Sequence, residues 1–132
     1  MANLITPREL HALARNVLSP THPEHSYKGE NDMQYYDNAW GASGDCWNAC
    51  ERVHNDMPEG SHIVRYKHTG ENENYKGDHY VHQVPTTDGH YIVDYTHRQF
   101  HARAPFPIVE RQDVYESRRT MKGYGMVYGE DK

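Results

Sequence analysis

The residues of this chain best suited to chemistry are its eleven His and two Cys. A zinc site needs three or four ligands at fixed geometry. The sequence has no His-Glu-x-x-His, and Cys46 and Cys50 stand four residues apart with no Cys-x-x-Cys partner. His79 and His82 are an odd number of residues apart, so a regular strand would point them to opposite faces. No metal and no cofactor are expected. His11, His22, His25, His54, His62, His68, His97 and His101 are scattered, and they read as solvated residues on loops and surface faces.

A thiol nucleophile is the sharper reading. Cys46 lies in Gly44-Asp45-Cys46-Trp47, at the expected start of a helix. Free N–H groups and the positive end of the helix dipole favour a thiolate there. The Cys46 backbone N–H could also help hold an oxyanion. The bland alternative is that Cys46 and Cys50 are two small apolar residues on one helical face. A thiol nucleophile needs a base, and the base needs an orienting group. A β-hairpin brings His79 and His82 on one strand towards Asp94 on the next. A two- or four-residue loop puts Asp94 on the face of His79; a three- or five-residue loop puts it on the face of His82. The residues alone leave both open.

These groups depend on the elements that carry them. Thr6-Pro7-Arg8-Glu9 is a capping box with Pro at the first helical position. Leu10, Leu13, Ala14, Val17 and Leu18 then recur at helical spacing, which predicts an amphipathic helix over 7–18. Residues 20–44 form a long polar loop with Tyr27, Tyr35, Tyr36 and Trp40 as anchors. A second helix spans about 46–57, capped by Asp45 or Ser43, with Cys46, Ala49, Cys50, Val53 and Met57 as its apolar stripe. Pro58-Glu59-Gly60 stops it. Residues 62–66 read as a strand and 69–78 as a polar loop. Residues 79–84 and 90–95 make a hairpin with the Asp88-Gly89 turn signal. A short helix is expected over 110–119, and a glycine-broken strand over 121–128. Helices first and antiparallel strands after them make an α+β domain.

Three segments in this order resemble a known group. Gly44-Asp45-Cys46-Trp47 looks like the Gly-x-Cys-Trp nucleophile motif of papain-fold peptidases. His79-Tyr-Val-His-Gln-Val resembles the His-x-Trp-Val-x-Val strand of transglutaminase-like domains. Asp94-Tyr-Thr96-His-Arg-Gln99-Phe100 resembles the Asp-x-Thr-x-x-Gln-Phe segment of small bacterial and phage papain-fold or transglutaminase-like proteins. The resemblance covers about residues 40–110. It implies a single papain-like α+β domain over 1–132, with the nucleophile helix packed on a small antiparallel sheet. It also implies a Cys46–His79–Asp94 triad, and favours His79 over His82 as the base. Where a papain-like chain has an oxyanion Gln, six residues before the nucleophile, this chain has Trp40. Asn38 and Gln34 are the nearest candidates for that task, and Gln99 is a further possible support. Trp40 and Trp47 are placed to line a cleft.

Composition bounds the rest. The 132 residues allow one domain. Leu, Ile, Val and Phe number only 19, a fraction below the roughly 20% at which disorder competes. Eleven Tyr and two Trp, with a net charge of only −5, argue instead for a folded, tyrosine-rich core. The acidic balance gives no footprint for nucleic acid. No apolar run is long enough to span a membrane. The first residues do not read as a signal peptide, and two Cys make no disulfide framework, so a reducing cytoplasm is expected. The reading is a thiol enzyme acting on amide bonds of a protein or peptide by hydrolysis, deamidation or acyl transfer. Its alternatives are an inactive interaction module on the same scaffold, or a His-rich metal-binding domain.

Overall fold

The structure, a computed structural model, describes residues 3–18, 46–68, 77–99, 103–117 and 130–131. Its elements are α1 (Pro7–Asn16), α2 (Cys46–Val53), β1 (His62–His68), β2 (Gly77–Thr86), β3 (Gly89–Asp94), β4 (Ile108–Arg111), α3 (Gln112–Glu116) and β5 (Glu130–Asp131). Two 3-10 turns, His54–Asp56 and His97–Gln99, follow α2 and β3. The architecture is mixed α+β. The strands form one antiparallel sheet in the order β4-β3-β2-β1-β5, in which β5, among the described residues, pairs with Val64 and Arg65. No helix among the described residues is long and apolar enough to cross a membrane.

The expected capping box opens α1. The Glu9 backbone N–H donates to Thr6 Oγ1 (3.1 Å), and the Thr6 N–H donates to Glu9 Oε1 (2.9 Å). The helix ends at Asn16, and Val17 and Leu18 close it as a buried turn. The expected second helix is shorter than its apolar stripe. α2 stops at Val53 and tightens into the 3-10 turn, but all five stripe residues, Cys46 to Met57, are buried. Gly60 then takes φ +88°, a left-handed value that suits glycine.

The hairpin fixes the register on which the site depends. Thr86 pairs with Gly89, so the connection is two residues, Thr87 and Asp88. Thr86 Oγ1 accepts from the Asp88 N–H (3.0 Å) and donates to the Gly89 carbonyl (2.6 Å), and Gly89 sits at φ +89°. Pro85 is tolerated because the β1 ladder ends at Gln83, leaving no partner on that side to miss its N–H. The pairs Val84–Tyr91 and His82–Val93 share one face, and Val81, Ile92 and Asp94 share the other.

Two small cores result. α1 and α2 bury Leu10, Ala14, Val17, Ala49 and Val53 against Val84, Tyr91, Val93 and Tyr95. On the opposite face, Val64, Tyr66, Val81 and Ile92 pack under Ala104, Ile108 and Tyr115. Tyrosines fill both, and the buried Tyr95 hydroxyl donates to the Ala14 carbonyl (2.6 Å). β2 is longer than expected, taking in Gly77 and Asp78 from the expected loop and Pro85 and Thr86 from the expected turn, and the last helix differs more. Glu110 and Arg111 are not helical but pair with Ile92 and Tyr91 in β4, and the helix runs only over Gln112–Glu116. Pairing satisfies the outer backbone groups of β3, which a helix starting at 110 would leave bare. The expected loop 20–44, the caps Ser43 and Asp45, and the strand 121–128 lie outside the described residues.

Candidate active site

Cys46 is the first residue of α2 and is 8% exposed. Its sulfur meets two donors on β2. β3 pairs with β2 only from His82 onward, so the Tyr80 backbone N–H turns to the Cys46 sulfur instead of to a strand. The second donor is the His79 ring, hydrogen-bonded to the same sulfur. Burial acts to raise the thiol pKa, but the His79 hydrogen bond and charge, with the Tyr80 N–H, outweigh it and hold Cys46 below the ordinary thiol range. Cys50, one turn on, has no such help. Burial, with the nearby Asp94 charge, pushes its thiol well up.

The two-residue turn places Asp94 on the face of His79, as the hairpin arithmetic requires. His79 Nε2–H donates to Asp94 Oδ2 at 2.9 Å, with both side chains fully buried. That leaves the other ring nitrogen, Nδ1, for Cys46. Burial acts to lower the imidazole pKa, yet the Asp94 charge and hydrogen bond, joined by Cys46, prevail and hold His79 up at about 9. Asp94 is held far below the carboxylate range. Its burial opposes ionisation, but His79 and His97 overcome that. The three residues expected to carry chemistry therefore form one line: sulfur, imidazole, carboxylate.

Two members of the cluster were not legible in the sequence. His97, read there as solvated, is 1% exposed, and its Nδ1–H donates to Asp94 Oδ2 at 2.7 Å. The Tyr115 hydroxyl donates to the same oxygen at 2.9 Å, and the Thr96 N–H donates to Oδ1 at 2.9 Å. The Asp94 carboxylate thus takes donors from β2, from the turn that follows β3 and from α3. The one clue to His97 was its spacing, three residues after Asp94, which becomes contact only because the chain turns at Thr96. Tyr115, 21 residues away, had no local signal.

Ligand-type atoms of His79, Asp94 and His97 lie within 4.8 Å of one another, a separation that a metal site would also show. The donor set suits zinc, but the spacing suits protons. The 2.7 and 2.9 Å separations are hydrogen-bond lengths, and the edges of a tetrahedral zinc site are about 3.3 Å. Asp94 Oδ2 also already accepts from Tyr115. Its separations are those of a cluster linked by hydrogen bonds.

His82, the alternative base, lies on the other face of the sheet. Its Nε2 is 3.0 Å from His54 Nδ1, and the two rings stack at 5.2 Å. Burial, with His54 beside it, lowers its pKa to about 3. A base that is neutral in the fold until about 3, but from 6.5 when unfolded, contributes stability present above 6.5 and lost as pH falls towards 3. The slope for one such proton is about 1.4 kcal/mol per pH unit. Replacing His82 with Leu is expected to flatten the acid limb of urea-unfolding stability by about that slope, while alkylation of Cys46 stays within about twofold of wild type. Equal acid limbs, or a collapse of Cys46 reactivity, would contradict this placement.

Trp47 stacks edge-on against Tyr80 at 4.9 Å, on the helix-facing side of β2 beside Cys46. Gln99 closes the turn after β3, and its side chain is not described. Gln34, Asn38 and Trp40 lie outside the described residues, as does Phe100. Comparison with models of protein families, with curated proteins and with solved structures gives no match to this chain.

Proposed function

We propose that this protein is a cysteine-dependent enzyme of papain-like or transglutaminase-like type, acting on amide bonds of protein or peptide substrates. The observation that carries the reading is the His79 ring, which bridges the Cys46 sulfur and the fully buried Asp94 carboxylate. A purely structural core histidine is satisfied by any two polar partners, one for each ring nitrogen. One held between a thiol of lowered pKa and an ionised carboxylate has the parts of an activated nucleophile.

The steps follow from those parts. The Cys46 thiolate attacks the carbonyl carbon, and the electron pair of the C=O bond moves to oxygen. In this reading the Cys46 backbone N–H, in the first turn of α2, stabilises that oxyanion. Protonated His79 gives its proton to the leaving nitrogen as the C–N bond breaks, and a thioester remains. Water or an amine then attacks the thioester carbonyl while His79 takes the attacker's proton, and the C–S bond breaks to return the Cys46 thiolate. Water completes hydrolysis or deamidation, and an amine completes transfer.

Alkylation with iodoacetamide, mapped by mass spectrometry, tests this reading on the native protein. Cys46 is expected to react with an apparent pKa below the ordinary value of about 8.5, and Cys50 to stay nearly unreactive at neutral pH. If Cys46 reacts no faster than Cys50 there, the proposal is wrong.

A further inference from the structure

We propose that His97 is a positioning residue of this site, whose Nδ1–H fixes the Asp94 carboxylate so that it aims the His79 ring at Cys46. The inference rests on the reading of Cys46, His79 and Asp94 as a triad. An orienting carboxylate works only if it is itself held, because a rotation about its own side chain would carry His79 off line. Asp94 is the last residue of β3, and its pairing with Ile108 of β4 holds its backbone but does not fix the rotation of its carboxylate. Side-chain and backbone donors have to do so.

The local chain supplies them in a defined way. Thr96 N–H closes an Asx-type turn onto Oδ1 (2.9 Å), and the 3-10 turn beginning at His97 brings that ring back under the strand it just left. His97 then makes a shorter contact to Oδ2 than either His79 or Tyr115, 2.7 against 2.9 Å. Its ring meets those of His79 and Tyr115 edge-on, at 5.8 and 5.7 Å. An ionised carboxylate only accepts, so both imidazoles must present N–H to it. His97 is thereby fixed as the Nδ1–H form and His79 carries a proton on Nε2. A buried imidazole in an apolar layer costs stability unless its polar atoms are used. Here Nδ1 is used on the one residue that orients the base. The titratable groups facing Asp94 are His79 from β2, His97 from the turn, Tyr115 from α3, and Cys46 and Cys50 from α2.

Three substitutions separate a donor role from a packing role. The side-chain amide of Asn places an N–H near the position of His Nδ1, whereas that of Gln places it near Nε2. His97→Asn is therefore expected to keep the pH profile of Cys46 alkylation close to wild type. His97→Gln and His97→Leu are expected to raise its midpoint by about one pH unit and to slow labelling near neutral pH about tenfold. Thermal unfolding run alongside shows which variants are folded, and the Asn and Gln pair decides the matter if Leu does not fold. A folded Leu or Gln variant with the wild-type profile overturns the proposal, as does an Asn variant that fails with them. Long-range proton–nitrogen NMR of the histidine rings gives a second reading that does not depend on the thiol. Nδ1–H on His97 supports the assignment and Nε2–H alone overturns it. A wild-type profile with no lowered midpoint would instead refute the triad reading, whatever the tautomer.

Discussion

Replacing Asp94 with Ala is expected to destabilise the protein by about 3–5 kcal/mol, the usual cost of leaving a buried charge without its partner. The carboxylate is fully buried and accepts from His79, His97, Tyr115 and the Thr96 backbone. Removing it strands all four donors away from water, and each buried donor left unmade carries its own penalty. Total stability of a domain this size is about 5–15 kcal/mol, and the aliphatic core is small, so this one change puts folding at risk. Asp94→Asn should be milder, because one amide oxygen can still accept from His79, His97 and Tyr115. Its NH2 group would then face the Thr96 N–H, donor against donor. The effect also has a pH signature. The depressed pKa of Asp94 gives stability present above 3.8 and lost as pH falls below it. The raised pKa of His79 gives stability present below 6.5 and lost as pH rises through about 9. The two are one ion pair seen from its two ends. The gap between wild type and Asp94→Ala in urea unfolding should thus be widest between those limits and narrow above about 9. An Ala variant within about 1 kcal/mol of wild type would show that the cluster is not the charged, paired unit described.

How much of this site could be read from residues alone depended on the range of the signal. The capping box at Thr6–Glu9 and the stripe from Cys46 to Met57 are local patterns, and both stand in the fold. The hairpin was legible too, but the face of Asp94 was not. It turned on loop length, and only the Thr86–Gly89 pairing gives a two-residue turn that puts Asp94 with His79 and leaves His82 to His54. His97 was misread because its periodicity carries no information. A 3-10 turn after a strand, not a strand or helix face, brings it back to Asp94. β4 was misread because its helical pattern over 110–119 is weak, and the open edge of β3 decided the outcome. For β4 the deciding contact was made by a partner distant in sequence, and for His97 by a local turn that its residue type and periodicity do not announce.

His79 carries two roles, and two substitutions should pull them apart. His79→Ala removes the ring from between Cys46 and Asp94. Burial and the Asp94 charge, the two influences that raise the Cys46 thiol, then remain, opposed by the Tyr80 N–H and the helix start. A thiol at the ordinary value of about 8.5 is only about 3% ionised at neutral pH, and this one would lie higher still. Labelling of Cys46 near neutral pH is expected to fall about a hundredfold, the lower end of what a positioned acid–base partner contributes. The same variant loses the cation paired with Asp94, so it should also unfold more easily. His79→Gln is the more telling change. Its amide nitrogen can occupy the place of Nε2 and keep the donor to Asp94, but nothing replaces Nδ1 at the sulfur. Stability should stay nearer to wild type while labelling falls as far as in the Ala variant. If His79→Gln instead labels at the wild-type rate, the low thiol pKa comes from the helix start and the Tyr80 N–H, and the imidazole is a structural link between Asp94 and the sheet. If reactivity and stability fall together in both variants, the ring acts through packing. Only the split result, a folded protein with a quiet thiol, is what a base held in line by a carboxylate predicts.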